Sequence, residues 1–150
     1  MSWKYSINKG IKHSSTGLSI YFGSTRNEIR QLLNFDPLAN TGRFASEDSY
    51  ENINGSDDWI RLSFDDQQKL GEIEVISGIV YFRDIEIVAG GDLANTIKEL
   101  ETLGTKFVEH EYGFVSPEFK FDLGDGGKSG REDGRIAWFY ATTDISHLLD

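Results

Sequence analysis

Between Trp59 and Ser77 the chain runs through two alternating apolar–polar stretches separated by a polar turn. Trp59-Ile-Arg-Leu-Ser-Phe64 sends every second side chain to one face, and Leu70-Gly-Glu-Ile-Glu-Val-Ile-Ser77 alternates again. A period of two marks a half-buried strand. Two such runs joined across Asp65-Asp66-Gln67-Gln68-Lys69 make a β-hairpin. An antiparallel sheet with one buried face is therefore the frame that the rest of the chain must fit. The stretch from Gly78 to Val88 reads as a third strand that extends the hairpin into a meander.

Upstream, Trp3, Tyr5 and Ile7 alternate with Lys4, Ser6 and Asn8, a strand that a turn near Lys9-Gly10 passes to a second extended piece. Gly17-Leu-Ser-Ile-Tyr-Phe-Gly23 is a further strand bounded by glycines. Thr25 with Glu28 three residues on forms a capping box, with Ser24 as the rival cap. The short helix it opens sets Ile29, Leu32 and Leu33 on one side and Arg26, Arg30 and Gln31 elsewhere, and Asp36-Pro37 ends it. Residues 36–58 are the least regular, and Phe44, Tyr50 and Ile53 mark part of them as a short strand or as pinned to the body. Gly90-Gly91-Asp92 breaks the chain and caps a second helix, whose Leu93, Ile97, Leu100 and Leu103 fall on one face before Gly104 stops it. Short strands follow around 106–110, 113–116 and 119–123, then a loop with glycines at 124, 126, 127, 130 and 134, then a last strand from Arg135 to Ala141. These elements predict one α+β domain over residues 1–150, a mainly antiparallel sheet of about six to eight strands with two amphipathic helices packed on one face.

At 150 residues the chain buries roughly 70% of its unfolded surface and needs no covalent staple to fold. It contains no cysteine, which removes thiol nucleophiles, disulfides and cysteine-ligated metal centres and suits a reducing compartment. The segment Met1 to Ile7 lacks the apolar stretch and cleavage site of a signal peptide, and the longest apolar run, Ile79-Val80-Tyr81-Phe82, stops at Arg83. A cytoplasmic protein is expected. The net charge is −10, unevenly spread: residues 1–46 carry six bases and two acids, residues 47–150 nine bases and 23 acids. The second segment therefore stands at −14. Such a surface repels a phosphate backbone and anionic lipid and suits a basic protein, so neither nucleic acid nor membrane is an expected partner. Solubility alone is the competing explanation of the charge.

Four patterns bear on chemistry. Gly124-Asp-Gly-Gly-Lys-Ser129 resembles a phosphate loop only superficially, because the first glycine of that motif is replaced by Asp122 and glycines interrupt any following helix. It reads as a flexible hairpin loop. His13, His110 and His147 lack metal-ligand spacing, and Asp122, Asp125 and Asp133 do not match a calcium loop, so neither metal nor cofactor is expected. Glu72 and Glu74 are roughly 6.5–7 Å apart along one strand face, a spacing shared by surface pairs and by catalytic carboxylates. The fourth pattern is the acidic surface itself. With Ile73 and Val75 inward on one strand and Ile85 and Ile87 inward on the next, Glu72, Glu74, Asp84 and Glu86 gather on one exposed face if the two strands pair. Asp65 and Asp66 stand at one hairpin end, and Asp57 and Asp58 at the other beside Trp59, a candidate anchor with Tyr50 and Phe82. The bland reading is a solvated sheet face that resists edge pairing.

Gly17 to Leu33, Trp59-Ile-Arg-Leu-Ser-Phe-Asp65, Ile73-Glu-Val75 and the Asp92–Gly104 helix together resemble small bacterial cytoplasmic proteins encoded beside polymorphic or contact-dependent growth-inhibition toxins. The resemblance covers residues 17–104. It implies an immunity protein, a non-enzymatic inhibitor that binds the toxin domain delivered by a neighbouring cell, commonly a basic nuclease. It assigns no individual residue. The alternatives are an α+β adaptor or housekeeping domain and a small carboxylate-dependent hydrolase. Oligomeric state is left open.

Overall fold

The computed structural model describes residues 2–34, 36, 42–53 and 57–149. In chain order its elements are β1 (Trp3–Ser6), β2 (Gly10–His13), β3 (Ser19–Tyr21), α1 (Arg26–Leu32), β4 (Glu47–Glu51), β5 (Trp59–Phe64), β6 (Leu70–Ser77), β7 (Ile79–Phe82), β8 (Ile85–Val88), α2 (Leu93–Thr102), β9 (Val108–His110), β10 (Gly113–Ser116), β11 (Phe121–Asp125) and β12 (Ile136–Thr142), with a 3₁₀ turn at Ser146–Leu148. The class is α+β, as the sequence predicts, but the strands form two sheets instead of one. The small sheet runs β3-β2-β1-β7-β8 and the large one β4-β5-β6-β12-β11-β10-β9. Every pairing is antiparallel except β1 with β7.

The expected β5–β6 hairpin is present, and the alternation of β5 is realised with Ile60, Leu62 and Phe64 buried. The meander is not. β6 pairs with β5 and β12, while β7 leaves for the small sheet. The chain changes sheets at Gly78, whose φ of +129° is open only to glycine and whose added Cβ would meet Asp58 Oδ1 at 2.5 Å. The expected single strand to Val88 is also divided. Arg83 and Asp84 both have positive φ and make the two-residue turn between Phe82 and Ile85.

The two inner faces meet in one core. Tyr5 of β1 lies 5.3 Å from Phe139 and 6.0 Å from Phe121, ring centre to ring centre, and Phe82 of β7 lies 5.2 Å from Phe121. The Tyr5 hydroxyl donates to the Phe119 carbonyl at 2.6 Å, so the polar tip of this buried ring is satisfied. A second link between the sheets is polar. His13, fully buried on β2, faces Asp58 at 3.2 Å, and its Nδ1 lies 3.2 and 3.0 Å from the Ser15 and Thr16 hydroxyls.

The helices attach at different places, not on one face. α1 starts at Thr25, whose hydroxyl oxygen accepts the Glu28 amide as expected of the cap, and the preceding chain bonds to the β5–β6 turn. It ends at Leu33 with Asn34 left-handed, while Pro37 lies outside the described residues. Only Ile29 of its apolar set is buried, and Leu32 is exposed. Arg26 and Arg30, set away from the apolar side, converge on Asp48 of β4, which is 1% exposed. α2 is capped by Asp92 and packs beside β8. Its buried positions are Leu93, Thr96 and Leu100, with Ile97 at the margin and Leu103 exposed. Gly104 and Thr105 donate back to the carbonyls of Glu101 and Leu100, the two bonds of a Schellman stop.

The glycine loop after β11 is better anchored than its composition suggests. Gly126 exchanges bonds with Arg135 and Arg131, Ser129 Oγ donates to the Asp125 carbonyl, and a Cβ at Gly126 would meet the Glu132 carbonyl oxygen at 2.1 Å. Glycine stands there for close approach, not for freedom.

Candidate functional site

The outer face of the large sheet carries an open depression of about 270 Å³. Register builds it. Glu74 of β6 lies opposite Tyr140 of β12, and Tyr140 opposite Asp122 of β11, so three polar side chains stand in one row across the middle of the sheet. Glu72 and Trp138, each two residues along its strand, flank that row, and His147 and Leu148 of the 3₁₀ turn close one side. From the other side come His110 and Tyr112.

Two glycines make the arrangement possible. Gly113 and Gly124 are paired on neighbouring strands, and His110 is paired with Gly113. With no side chain on either, His110 reaches across β10 and its Nε2 meets Asp122 Oδ1 at 2.6 Å. Nδ1 of the same ring accepts the Tyr112 amide, so Nε2 carries the proton given to Asp122. Trp138 lies over Gly124, where an added Cβ would sit 2.4 Å from the ring, and its Nε1 donates to Asp122 Oδ2 at 3.2 Å. A buried carboxylate is thus held on both oxygens, one by an imidazole and one by an indole.

The electrostatics of the depression are undercompensated. Burial pushes the Asp122 carboxyl above its ordinary range, against the opposing pull of His110. Burial does the same to Glu74, although Arg43 and Arg61 lie at 3.7 and 3.4 Å. Arg43 is shared with Glu47, whose bidentate contact holds that carboxyl below the usual range despite its burial. Burial and the neighbouring Glu72 push the Tyr140 hydroxyl upward, and His147 Nε2 stands 3.3 Å from it. Negative charge is thus confined beside aromatic rings, with each of these ionised carboxylates partly stripped of water. A cation entering this space favours their ionised form and finds ring faces to lie against.

Of the residues singled out from sequence, Glu72, Glu74 and Trp59 share this outer face. Trp59 is half-buried, with Nε1 donating to Ser49 at 2.9 Å and the Arg61 guanidinium 4.8 Å from its ring. Asp84 and Glu86 are exposed but belong to the β7–β8 hairpin of the small sheet, so the expected four-carboxylate face does not form. Glu86 accepts the Tyr81 hydroxyl there. Asp58 is 3% exposed and faces His13, which gives it a place inside the body. Asp57 is exposed beside it, its carbonyl accepting from Ser77. Asp65 turns its carboxylate onto the Gln67 and Lys69 amides and shapes the hairpin turn, with Asp66 exposed next to it. Lys128 pairs with Glu109 and lies over the Phe114 ring.

His110, Asp122, Trp138, Tyr140 and His147 were not legible as a group. Glu109-His110-Glu111 reads as a surface strand, and nothing in its spacing points to Asp122. The usable signal was Gly113 at the head of a strand-like run; Gly124, expected in the glycine-rich loop, lies instead within β11, where glycine marks close approach of another group.

No protein-family model, no curated protein and no solved structure matches the chain. Among the described residues, no group of three or more histidines and carboxylates is placed to hold a metal ion, and no helix is long and apolar enough to cross a membrane.

Proposed function

We propose that the protein is a non-enzymatic binding protein that neutralises a basic partner, the toxin domain of a polymorphic or contact-dependent growth-inhibition system, acting in the cytoplasm. The observation that carries this reading is the depression on the large sheet. Glu74 and Asp122, held above the ordinary carboxylate range by burial, line it together with the rings of Trp138 and Tyr140. An arginine or lysine side chain fits that chemistry, because it supplies the missing charge and stacks on aromatic faces. The −14 balance of residues 47–150 supports it at longer range by steering a cationic partner. Trp59, Glu72 and Glu74 extend the contact along the same face, while Asp57, Asp65 and Asp66 contribute field.

The test begins with the reading frame immediately upstream of the gene. Its C-terminal domain is purified and titrated against the protein, and its toxicity is measured with and without co-expression. Tight binding with rescue of growth is the expected result, and Glu72→Lys should slow association by about tenfold at low salt. A neighbouring domain that is not toxic, or that is toxic and does not bind, refutes the reading.

A second reading, acid–base chemistry in the same depression, is favoured by the 2.6 Å contact of His110 with Asp122 beside Tyr140 and His147. It predicts a hydrolytic turnover lost in His110→Asn. The binding reading predicts that neither form turns over a substrate panel of esters, phosphoesters and glycosides.

A further inference from the structure

The outer face of the small sheet carries the opposite chemistry. Lys4 of β1 and Lys12 of β2 are paired directly across the strands. Like charges in that position repel, so the pair is costly unless something negative sits between them. One row further along, Ser6, Gly10 and Tyr21 lie side by side on β1, β2 and β3. Gly10 leaves a gap in the middle of that row, and it has to be glycine: its φ is +139°, and an added Cβ would meet the Ile20 carbonyl oxygen at 2.0 Å. The gap forms the floor of a depression of about 220 Å³, and Lys9 from the β1–β2 turn joins its wall.

Apart from Ile11, the side chains around that floor can all donate. Three ammonium groups, the Ser6 hydroxyl and the Tyr21 hydroxyl surround it, and among the described residues no carboxylate lines it. In a chain with 25 acids against 15 bases, three lysines meet there with no ion pair among the described residues. The nearest strand-borne carboxylate on that face, Glu86, lies beyond Tyr81 and accepts its hydroxyl. A fourth lysine, Lys120, is held at the same turn by Asn8 Oδ1 at 2.9 Å. Protection of a sheet edge does not explain the cluster, since β1 and β2 are interior strands.

We infer that this depression is an anion site for a compact phosphate group, with Lys4, Lys9 and Lys12 neutralising charge and Ser6 and Tyr21 donating hydrogen bonds to its oxygens. Phosphate suits the donor set better than a carboxylate does, because it offers oxygens in three dimensions to donors arriving from three strands and a turn. The site is on the sheet opposite the acidic depression and stands whether or not that depression binds a basic partner.

The full chain is titrated with inorganic pyrophosphate, and separately with succinate, at matched ionic strength, with amide shifts followed by NMR. Saturable pyrophosphate binding centred on Ser6, Gly10 and Tyr21, and clearly tighter than that of succinate, is the expected result. The double substitution Lys4→Gln with Lys12→Gln should weaken it by about tenfold or more. Lys98→Gln with Lys106→Gln, the same charge change elsewhere, should leave it within about twofold. Thermal melts establish that each variant is folded. Equal binding of the two anions, equal losses in both double variants, or shifts spread over unrelated lysines would each overturn the assignment.

Discussion

Asp48 is the residue whose replacement tests the fold most directly. Its carboxylate accepts from Arg26 Nη2 at 2.6 Å and from Arg30 Nε and Nη2 at 2.8 Å each, and it ties α1 to β4. Each charge-assisted bond of this kind contributes about 1.5–3 kcal/mol. The desolvation of Asp48 offsets part of that, and removing one member of a buried ion cluster costs about 3–5 kcal/mol. Arg26 keeps the Ala45 carbonyl, Gln68 and the Phe64 ring, and Arg30, 31% exposed, relaxes into water. Asp48→Asn should therefore cost about 3 kcal/mol at pH 7, the lower end of that range. Urea melts of both forms between pH 7 and pH 3 measure it. Burial alone would raise the Asp48 carboxyl, but the hydrogen bonds from Arg30 and Arg26 hold it below its ordinary 3.8. A depressed acid stabilises the fold above its unfolded value and loses that contribution as pH falls through the folded one. The gap between wild type and Asp48→Asn should thus be flat above about pH 5 and close progressively below pH 4. A gap under 1 kcal/mol at pH 7, or one that stays constant to the lowest pH at which both fold, would show that the two arginines do not depend on this charge.

Three further outcomes are expected. Leu100→Ala should cost about 2–4 kcal/mol in a urea melt, Ile97→Ala clearly less and Leu103→Ala close to nothing, an order set by their burial along α2. Gly124→Ala should destabilise by about 1–3 kcal/mol and shift tryptophan fluorescence, because the new methyl group displaces the Trp138 ring from Asp122. Affinity for a basic partner should fall on acidification and begin to do so above the pH at which ordinary carboxylates titrate, since burial raises Asp122 and Glu74 and their protonated forms no longer attract a cation; isothermal titration at a series of pH values below 7 would show it, and an affinity independent of pH would exclude these two groups from the contact.

The local elements were legible in the sequence wherever a single period or a single cap decides them. The β5–β6 hairpin follows from alternation, and both helix starts from Thr25 and Asp92. What alternation cannot convey is which sheet a strand joins. β7 and β8 carry the same pattern as β5 and β6, and an unbroken meander satisfies it equally well. The choice is made at Gly78, where the left-handed backbone and the contact with Asp58 turn the chain toward β1. Long-range pairing of β1 with β7, some seventy-odd residues later, leaves no local mark at all.

The same limit governs charge. Acidity summed along residues 47–150 implied an exposed acidic surface, yet Glu47, Asp48 and Asp58 are buried against Arg43, Arg26 with Arg30, and His13. A carboxylate goes inside when the topology brings it a cation or a hydrogen-bonding partner, and those partners come from α1, the chain after it and β2, which sequence distance hides. Asp122 is the instructive case. Its neighbours in the chain, Phe121 and Leu123, are buried core residues, and in the sequence it stands out only as a defect in a phosphate-loop pattern and as one of three aspartates that do not match a calcium loop. Its partners, His110 and Trp138, arrive from two other strands over two glycines. Glycine in a strand costs conformational entropy and packs nothing, so a strand that keeps it makes room for something else. Gly113 and Gly124 make room for one site on the large sheet and Gly10 for another on the small one, and in each case the space is lined by charge of a single dominant sign.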